Sequence, residues 1–256
     1  MFKTIDQHDV SGKKVLVRAD LNVPMHDGEV TDATRLERLA PTIIELLDRG
    51  ALVIIASHFG RPEGERRSEM TMESLCGPLS GVLEGRNVVF ADDCIGPDAR
   101  KVIDAAAGSD VVLLENLRFH AGEEENDAAF ASKLASLADI YVNDAFSVAH
   151  RAHASTEQLP RLLPSAAGRL MQAELAALNS ALGSPERPVG AIVGGAKIST
   201  KLDLLENLVK KVDMLAIGGA MANTFLHALG TDVGKSLCEA QMGPTALKIL
   251  GIADHA

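Results

Sequence analysis

Four short apolar runs in the first 160 residues each end in arginine or histidine. Val15–Val17 leads into Arg18, with Asp20 and Asn22 close behind. Ala51–Ala56 leads into Ser57-His58-Phe59-Gly60-Arg61-Pro62. Val111–Leu114 leads into Glu115-Asn116-Leu117-Arg118-Phe119-His120, and Ile140–Val142 into Asn143-Asp144-Ala145-Phe146, then His150-Arg151-Ala152-His153. A single arginine is more often a weak surface ion pair than a ligand contact, and a single histidine is more often a satisfied surface or core residue. Four such placements on one predicted sheet edge carry more weight. Ligands of open α/β sheets bind beyond the carboxyl ends of the strands, and guanidinium forks match carboxylate and phosphate oxygens in pairs. The pattern predicts a small polyanionic ligand, such as a phosphorylated acid. Arg35 opens the first amphipathic segment and can join the group.

The C-terminal third offers a second chemistry. Gly194-Gly195-Ala196-Lys197 and Gly218-Gly219-Ala220 each follow an apolar run and precede a helical pattern. Glycine admits a ligand close to the backbone, and helix N-termini favour phosphate. One such turn needs no ligand, since strand–helix turns use glycine for packing alone. Two in succession, with Lys197 and Lys201 beside the first, predict a nucleotide-binding surface. Gly230-Thr231-Asp232-Val233-Gly234-Lys235-Ser236 resembles a P-loop but has three residues between its glycines instead of four, and it follows a helical pattern rather than a strand. It is rejected, and no full GxGxxG, HExxH or GxSxG motif is present.

The elements that must position these residues alternate. Leu36, Leu39, Ile43, Leu46 and Leu47 recur at helical spacing, with Gly50 as a C′ residue. Pro41 within that pattern predicts a late helix start or a kink. Met72, Leu75, Leu79 and Val82, then Asp98–Ala107 behind Pro97, then Phe130, Leu134 and Leu137 mark further helices between the strands, with Asn87–Ala91 as one more strand. Helices between continuous, non-alternating apolar runs imply a parallel sheet with right-handed crossovers. Residues 1–167 read as one such α/β domain, its last loop ending near Pro164. Residues 168–187 read as a helix and a broken linker at Gly183-Ser184-Pro185. Residues 188–256 begin a second domain with strands at Val189–Val193 and Met214–Ile217 and a helix capped by Ser199 or Thr200. The expected fold is α/β, two doubly wound parallel-sheet (Rossmann-like) domains, the second incomplete.

Composition narrows the field. The 256 residues carry a formal net charge of −10, so any anion site is a local basic cluster on an acidic chain. Aromatics are 3%, with one Tyr and no Trp, which disfavours base stacking and hence nucleic acid. Cys76, Cys94 and Cys238 are scattered and read as reduced structural thiols. The N-terminal MFKTIDQHDV lacks an apolar signal core, and the longest uncharged run, Met214–Thr231, is too polar to span a membrane. The reading is a cytoplasmic protein without a membrane or nucleic-acid partner.

The segments VLVRADLNVP (Val15–Pro24), SHFGRP (Ser57–Pro62), LLENLRFH (Leu113–His120), GEEEND (Gly122–Asp127), YVNDAFSVAHRAHAS (Tyr141–Ser155), GGAKISTKLDLLENL (Gly194–Leu208) and GGAMANTF (Gly218–Phe225) resemble the phosphoglycerate kinase family, in that family's order and through nearly the whole chain. The resemblance implies two α/β domains joined by a helix and closing by hinge-bending. It implies a monomeric enzyme of glycolysis that moves a phosphoryl group reversibly between 1,3-bisphosphoglycerate and ADP, giving 3-phosphoglycerate and ATP. Arg18, Asp20, Leu21, Asn22, Arg35, His58, Phe59, Gly60, Arg61, Arg118, His150, Arg151 and His153 would then form the phosphoglycerate site. Gly194, Gly195, Ala196, Lys197, Lys201, Gly218 and Gly219 would border ATP or ADP. Arg35, Lys197 and Lys201 would act on the transferred group, Arg35 and Lys197 from opposite walls of a cleft.

The chain departs from the family pattern at Ser147-Val148, where a Gly-Thr-like pair is expected, and at Ala220, where a third glycine often stands. The family continues well past residue 256, and the resemblance places the Mg ligand in that later stretch. This chain is therefore expected to show weak or no turnover and to expose apolar surface in its second domain. The competing reading is a truncated, non-catalytic phosphoglycerate-binding module. A dinucleotide-dependent oxidoreductase is disfavoured by the missing fingerprint.

Overall fold

The apolar runs become strands buried on both faces, and alternate residues feed two separate cores. In this computed structural model, residues 2–183 and 185–253 are described, so Ser184 of the linker lies outside the described residues. The chain divides into two compact units, Met1–Leu175 and Ala176–Ala256. The first unit holds β1 (Lys14–Arg18), a short antiparallel pair β2 (Met25–His26) and β3 (Glu29–Val30), α1 (Thr34–Asp48), β4 (Leu52–Ala56), α2 (Cys76–Val82), β5 (Val88–Ala91), α3 (Gly96–Ala105) and β6 (Val111–Leu114). It continues through α4 (Ala121–Glu124), α5 (Ala128–Ala135), β7 (Ile140–Asn143), α6 (Leu159–Leu162), β8 (Ser165–Ala167) and the start of α7 (Arg169–Leu182).

Six parallel strands lie in the order β5-β6-β4-β1-β7-β8. Val15, Val17, Val53, Ile55, Val111 and Leu113 point to a core shared with α1 and α2. Leu16, Ile54, Val112, Leu114 and Tyr141 point to the opposite core, shared with α3 and α5. The period of two inside an unbroken apolar run is what two covered faces require. Each such fully buried Val, Leu or Ile stabilises the fold by roughly 1.5–3 kcal/mol. The chain leaves β1 on one side for β4 and returns on its other side at β7. The carboxyl ends of these strands therefore flank a topological switch point.

The late helix start expected at Pro41 needs correction, Gly50 ends the helix as expected, and the first sheet has one strand more than expected. α1 starts at Thr34 and runs through Pro41. Pro41 lies on the solvent face, and the carbonyl it leaves free belongs to exposed Glu37, so no buried acceptor is stranded. Gly50, at φ +80°, closes the helix with Ala51 N–H bonded to Leu46 O and Gly50 N–H to Leu47 O, the paired bonds of a left-handed C-terminal cap. The first sheet does not stop before Pro164. β8 pairs with β7 and bridges to Thr4, and it escaped notice because Ser-Ala-Ala carries no β-branched or aromatic signal.

The second unit holds the rest of α7, then β9 (Gly190–Gly194), α8 (Leu202–Leu208), β10 (Met214–Gly218), α9 (Gly219–Ala228) and α10 (Gly243–Ala253). β9 and β10 pair in parallel, and Val193, Ile198, Leu205, Met221, Phe225, Ala246 and Ile249 form its core. Neither Ser199 nor Thr200 caps α8. Both fall in a 3-10 turn, where Thr200 Oγ1 bonds Lys197 O and Ser199 Oγ bonds Glu239. These local partners compete with the helix end for the hydroxyls. Gly230–Ser236 forms turns with no strand before it.

Candidate active site

The strand ladders continue into the loops at the carboxyl edge. Ala19 N–H donates to Ala56 O (3.0 Å), Asp144 N–H to Arg18 O (2.9 Å) and Leu117 N–H to Ser57 O (3.1 Å). Four loops therefore start in register, and their basic residues meet.

Arg18 lies at the centre and is only 1% exposed. Its Nε donates to Ser155 Oγ (2.8 Å), its Nη1 to the Ala19 carbonyl, and its Nη2 lies 3.3 Å from His58 Nδ1. Burial, followed by the positive charges of Arg18, Arg118 and Arg151, pushes the His58 imidazole down to about 3, so it is neutral at pH 7. Arg118 Nη1 donates to Gly60 O (2.8 Å), and its Nε faces Glu124 at 3.2 Å. Gly60 itself has φ +62°, and a Cβ there would lie 2.8 Å from Met70 Sδ. Asn22 Oδ1 accepts the Gly60 N–H (2.9 Å), joining the loop after β1 to the loop after β4.

A second cluster adjoins. Arg35 Nη1 donates to Asp20 Oδ2 (2.6 Å) and to Asn22 O (3.0 Å), and Ser147 Oγ donates to the same Asp20 oxygen. Burial raises the Asp20 carboxyl, but the Ser147 hydroxyl, the Asn22 amide and the Arg35 charge outweigh it and hold the group below its usual range. Ser147, one of the departures from the family pattern, is thus a direct partner of a candidate site residue. A pocket of about 240 Å³ lies here between Asp20, Arg35, Arg38, Phe146, Ser147 and Leu170.

The remaining candidates differ in placement. Leu21 is fully buried, its amide bonded to Ser57 Oγ at 2.9 Å, and Phe59 packs partly against the core. Arg61, His150 and Arg151 are exposed, and their side chains make no hydrogen bond or ion pair among the described residues. Arg151 is still near enough for its charge to act on His58 and Arg118. His153 is buried, 3.9 Å from Glu123, and burial pushes its imidazole down despite that carboxylate.

Sequence reasoning missed the groups that hold this cluster. Glu123 is fully buried and receives the Ser155 N–H and Oγ–H. Asn116 ties Phe59, Met70 and Arg118 together. Glu123 sits among three consecutive glutamates, a pattern that reads as a solvated face, and only its burial separates it from Glu124 and Glu125. Asn116 carried a weak signal, since it directly follows a strand end.

Within the second unit the two glycine turns approach closely. A Cβ on Gly219 (φ +66°) would lie 3.0 Å from Gly195 O, and Met221 N–H bonds that same oxygen at 2.9 Å. Lys201 Nζ reaches Gly194 O at 2.7 Å, while Lys197 and Ala196 are exposed. Gly218 lies against Gly194. This bare backbone beside two lysines, at the start of α9, fits phosphate. Neither turn carries a carboxylate, so these residues do not fit a divalent cation by themselves. Elsewhere Asp93, Cys94 and His120 bring possible ligand atoms within 4.8 Å of one another. Asp93 Oδ1 there already accepts from the Cys94 amide and lies 2.7 Å from His120 Nε2.

Comparison with known proteins agrees with the geometry. The family described as Phosphoglycerate kinase matches residues 5–256. The chain is 62% identical over 250 residues to the phosphoglycerate kinase of Chelativorans sp. (strain BNC1), covering 97% of this chain and 63% of that protein. It is 60% identical over 254 residues to that of Brucella melitensis, covering 99% and 64%. Among solved structures, phosphoglycerate kinase from Coxiella burnetii aligns with a TM-score of 0.88 at 40% identity, covering 100% of this chain and 64% of that one. The enzyme from Pyrococcus horikoshii OT3 aligns at 0.78 and 33%, covering 99% and 64%. The chain spans about 64% of the length of these relatives. With its motifs in order and its basic residues gathered at one sheet edge, this chain belongs to the phosphoglycerate kinase family.

Proposed function

We propose that the first unit binds 3-phosphoglycerate or 1,3-bisphosphoglycerate, and that the chain serves reversible phosphoryl transfer between ATP and the 3-phosphoglycerate carboxylate. The observation that carries this reading is that Arg18 lies 3.3 Å from His58 at a strand edge where Arg118 is held by the same loop's Gly60 carbonyl and Arg151 is near enough for its charge to be felt. A dianionic phosphate and a carboxylate fit such a surplus of guanidinium groups. Asp20 and Asn22, held by Arg35 and Gly60, offer polar groups for the ligand's hydroxyl.

The acceptor carboxylate is already ionised near neutral pH, so no general base is needed. The demands are in-line positioning and neutralisation of charge on the moving phosphoryl. Arg35, Lys197 and Lys201 are assigned to that charge, and the exposed Arg61 and Arg151 to gripping the substrate. Gly194, Gly195, Ala196, Gly218 and Gly219 are assigned to ATP or ADP. Mg²⁺ accompanies the nucleotide in the family. A cytoplasmic monomer with hinge-bending domains is the accompanying reading. Among the described residues no helix is long and apolar enough to cross a membrane.

Calorimetric titration with 3-phosphoglycerate tests the binding. It should show one site, weakened at least tenfold by Arg118→Gln, and absence of binding to the wild-type chain overturns the reading. A coupled assay with ATP separates the enzyme from a non-catalytic binding module. In a turnover-competent protein, Arg35→Ala should lower kcat, whereas Arg151→Ala should mainly raise KM.

A further inference from the structure

Two neighbouring donors cannot both point at each other, and this fixes the state of His58. Arginine has five N–H donors and no acceptor. With Arg18 Nη2 at 3.3 Å, His58 Nδ1 attracts it only by presenting its lone pair, which leaves the imidazole proton on Nε2. The ring is neutral, because burial and the surrounding guanidinium groups disfavour a second proton.

Arg18 has little freedom to turn away. Its Nε is held by Ser155 Oγ, and the single Ser155 hydroxyl proton goes to Glu123 Oε1 at 2.6 Å, so the oxygen lone pairs face Arg18. Glu123 Oε2 accepts the Ser155 amide at 2.9 Å, and Tyr141 Oη donates to the Ser155 carbonyl at 2.8 Å. Glu123 Oε1 also stands 3.9 Å from Arg18 Nη2. A fully buried carboxylate costs several kcal/mol unless its oxygens are satisfied, and here both are engaged by Ser155. Ser155 belongs to a π-helical turn, Ala154–Gln158, a form often found at functional sites.

We propose that Glu123 and Ser155 are positioning residues: acting through Arg18, they hold His58 as the Nε2–H tautomer, a neutral donor for an oxygen of the anionic ligand. Only the identity of that oxygen rests on the phosphoglycerate reading. Nothing in the chain Glu123–Ser155–Arg18–His58 requires turnover, so the test needs none.

The test is ¹⁵N NMR of histidine-labelled protein at pH 7, with His58 assigned through His58→Gln. In the wild type, His58 Nδ1 should resonate as a pure acceptor nitrogen and Nε2 as protonated. Ser155→Ala and Glu123→Gln should each move the Nδ1 signal toward the averaged value of a ring exchanging between tautomers. Both should weaken 3-phosphoglycerate binding about three- to tenfold. A protonated Nδ1 in the wild type overturns the proposal. Unmoved His58 signals in a folded Ser155→Ala protein overturn it as well, whatever the affinity. Signals that move as expected in a chain that does not bind 3-phosphoglycerate leave the relay standing and remove the ligand assignment instead.

Discussion

The side-chain amide of Asn116 closes on the backbone of Phe59 from both sides, accepting its N–H at 3.2 Å and donating to its carbonyl at 2.7 Å. The same amide accepts the Arg118 N–H at 3.1 Å and donates to the Met70 carbonyl at 2.9 Å. One side chain thereby fixes the loop after β4 against the loop after β6, and with it the spacing of His58 and Arg118. Asn116→Ala strands the buried Arg118 N–H and three half-buried backbone groups of Phe59 and Met70, at about 1–3 kcal/mol for a fully buried one. It should destabilise the fold by about 2–4 kcal/mol in urea titrations and also weaken 3-phosphoglycerate binding. Equal affinity in a folded Asn116→Ala protein would show that the two loops keep their spacing without it.

Acid should weaken the fold through His58. The unfolded chain binds a proton at this residue as pH drops below its ordinary 6.5, while the native ring stays neutral down to about 3. Native stability therefore falls with pH across that window, by up to about 1.4 kcal/mol per pH unit from this one group. Asp20, held below its ordinary 3.8, adds a loss of the same sign at still lower pH. Denaturant midpoints between pH 4 and 7 should fall more gently for His58→Gln than for the wild type. Parallel slopes would mean that His58 titrates normally in the folded protein.

Asp144 serves the first turn of α7 from the loop after β7. Its Oδ1 accepts the Met171 N–H at 2.9 Å, beside Thr42 Oγ1, which accepts the Arg169 N–H at 2.8 Å. Burial raises the Asp144 carboxyl, so the charge is a burden in the native state, and its stability contribution declines as pH rises through the raised value. Asp144→Asn retains the acceptor without the charge and should be neutral or stabilising at pH 7. Asp144→Ala should cost about 1–2 kcal/mol as a lost cap. A Cβ at Gly168 would collide with the Asp144 side chain, so Gly168→Ala should cost about 1–3 kcal/mol by overpacking. Thermal unfolding of the three variants ranks them. An Asn variant as unstable as the Ala variant would contradict the capping role.

The sheet of the second unit carries apolar side chains in water. Ile192 is 87% and Met214 70% exposed, and the parallel register places them on one face. Ile192→Thr combined with Met214→Thr should lower concentration-dependent light scattering, because an open apolar sheet face drives association. The first unit's unfolding should be unchanged. Scattering identical to the wild type would locate the adhesive surface elsewhere.

Much of this molecule is legible in one dimension because a parallel sheet aligns all its carboxyl ends. Once Val15–Val17, Ala51–Ala56, Val111–Leu114 and Ile140–Val142 read as buried strands, the residues after them must share an edge. The position of Arg18, His58, Arg118 and Arg151 follows from that alone. Gly50 and the strand–glycine turns at Gly194 and Gly218 were likewise readable, since they depend on neighbours within a few residues. Tertiary structure decided what depends on partners far away in the chain. Ser155 lies 137 residues beyond Arg18, yet it turns that guanidinium inward, while Arg151 is left facing solvent. Glu123 differs from its neighbouring glutamates only in what packs over it. β8 exists because β7 offers an open edge to a segment with little strand preference of its own. Local composition sets which elements form and where the polar groups emerge. Burial and long-range hydrogen bonds then choose which of those groups hold the scaffold and which are free to hold a ligand, because desolvation depends on the neighbours that exclude water.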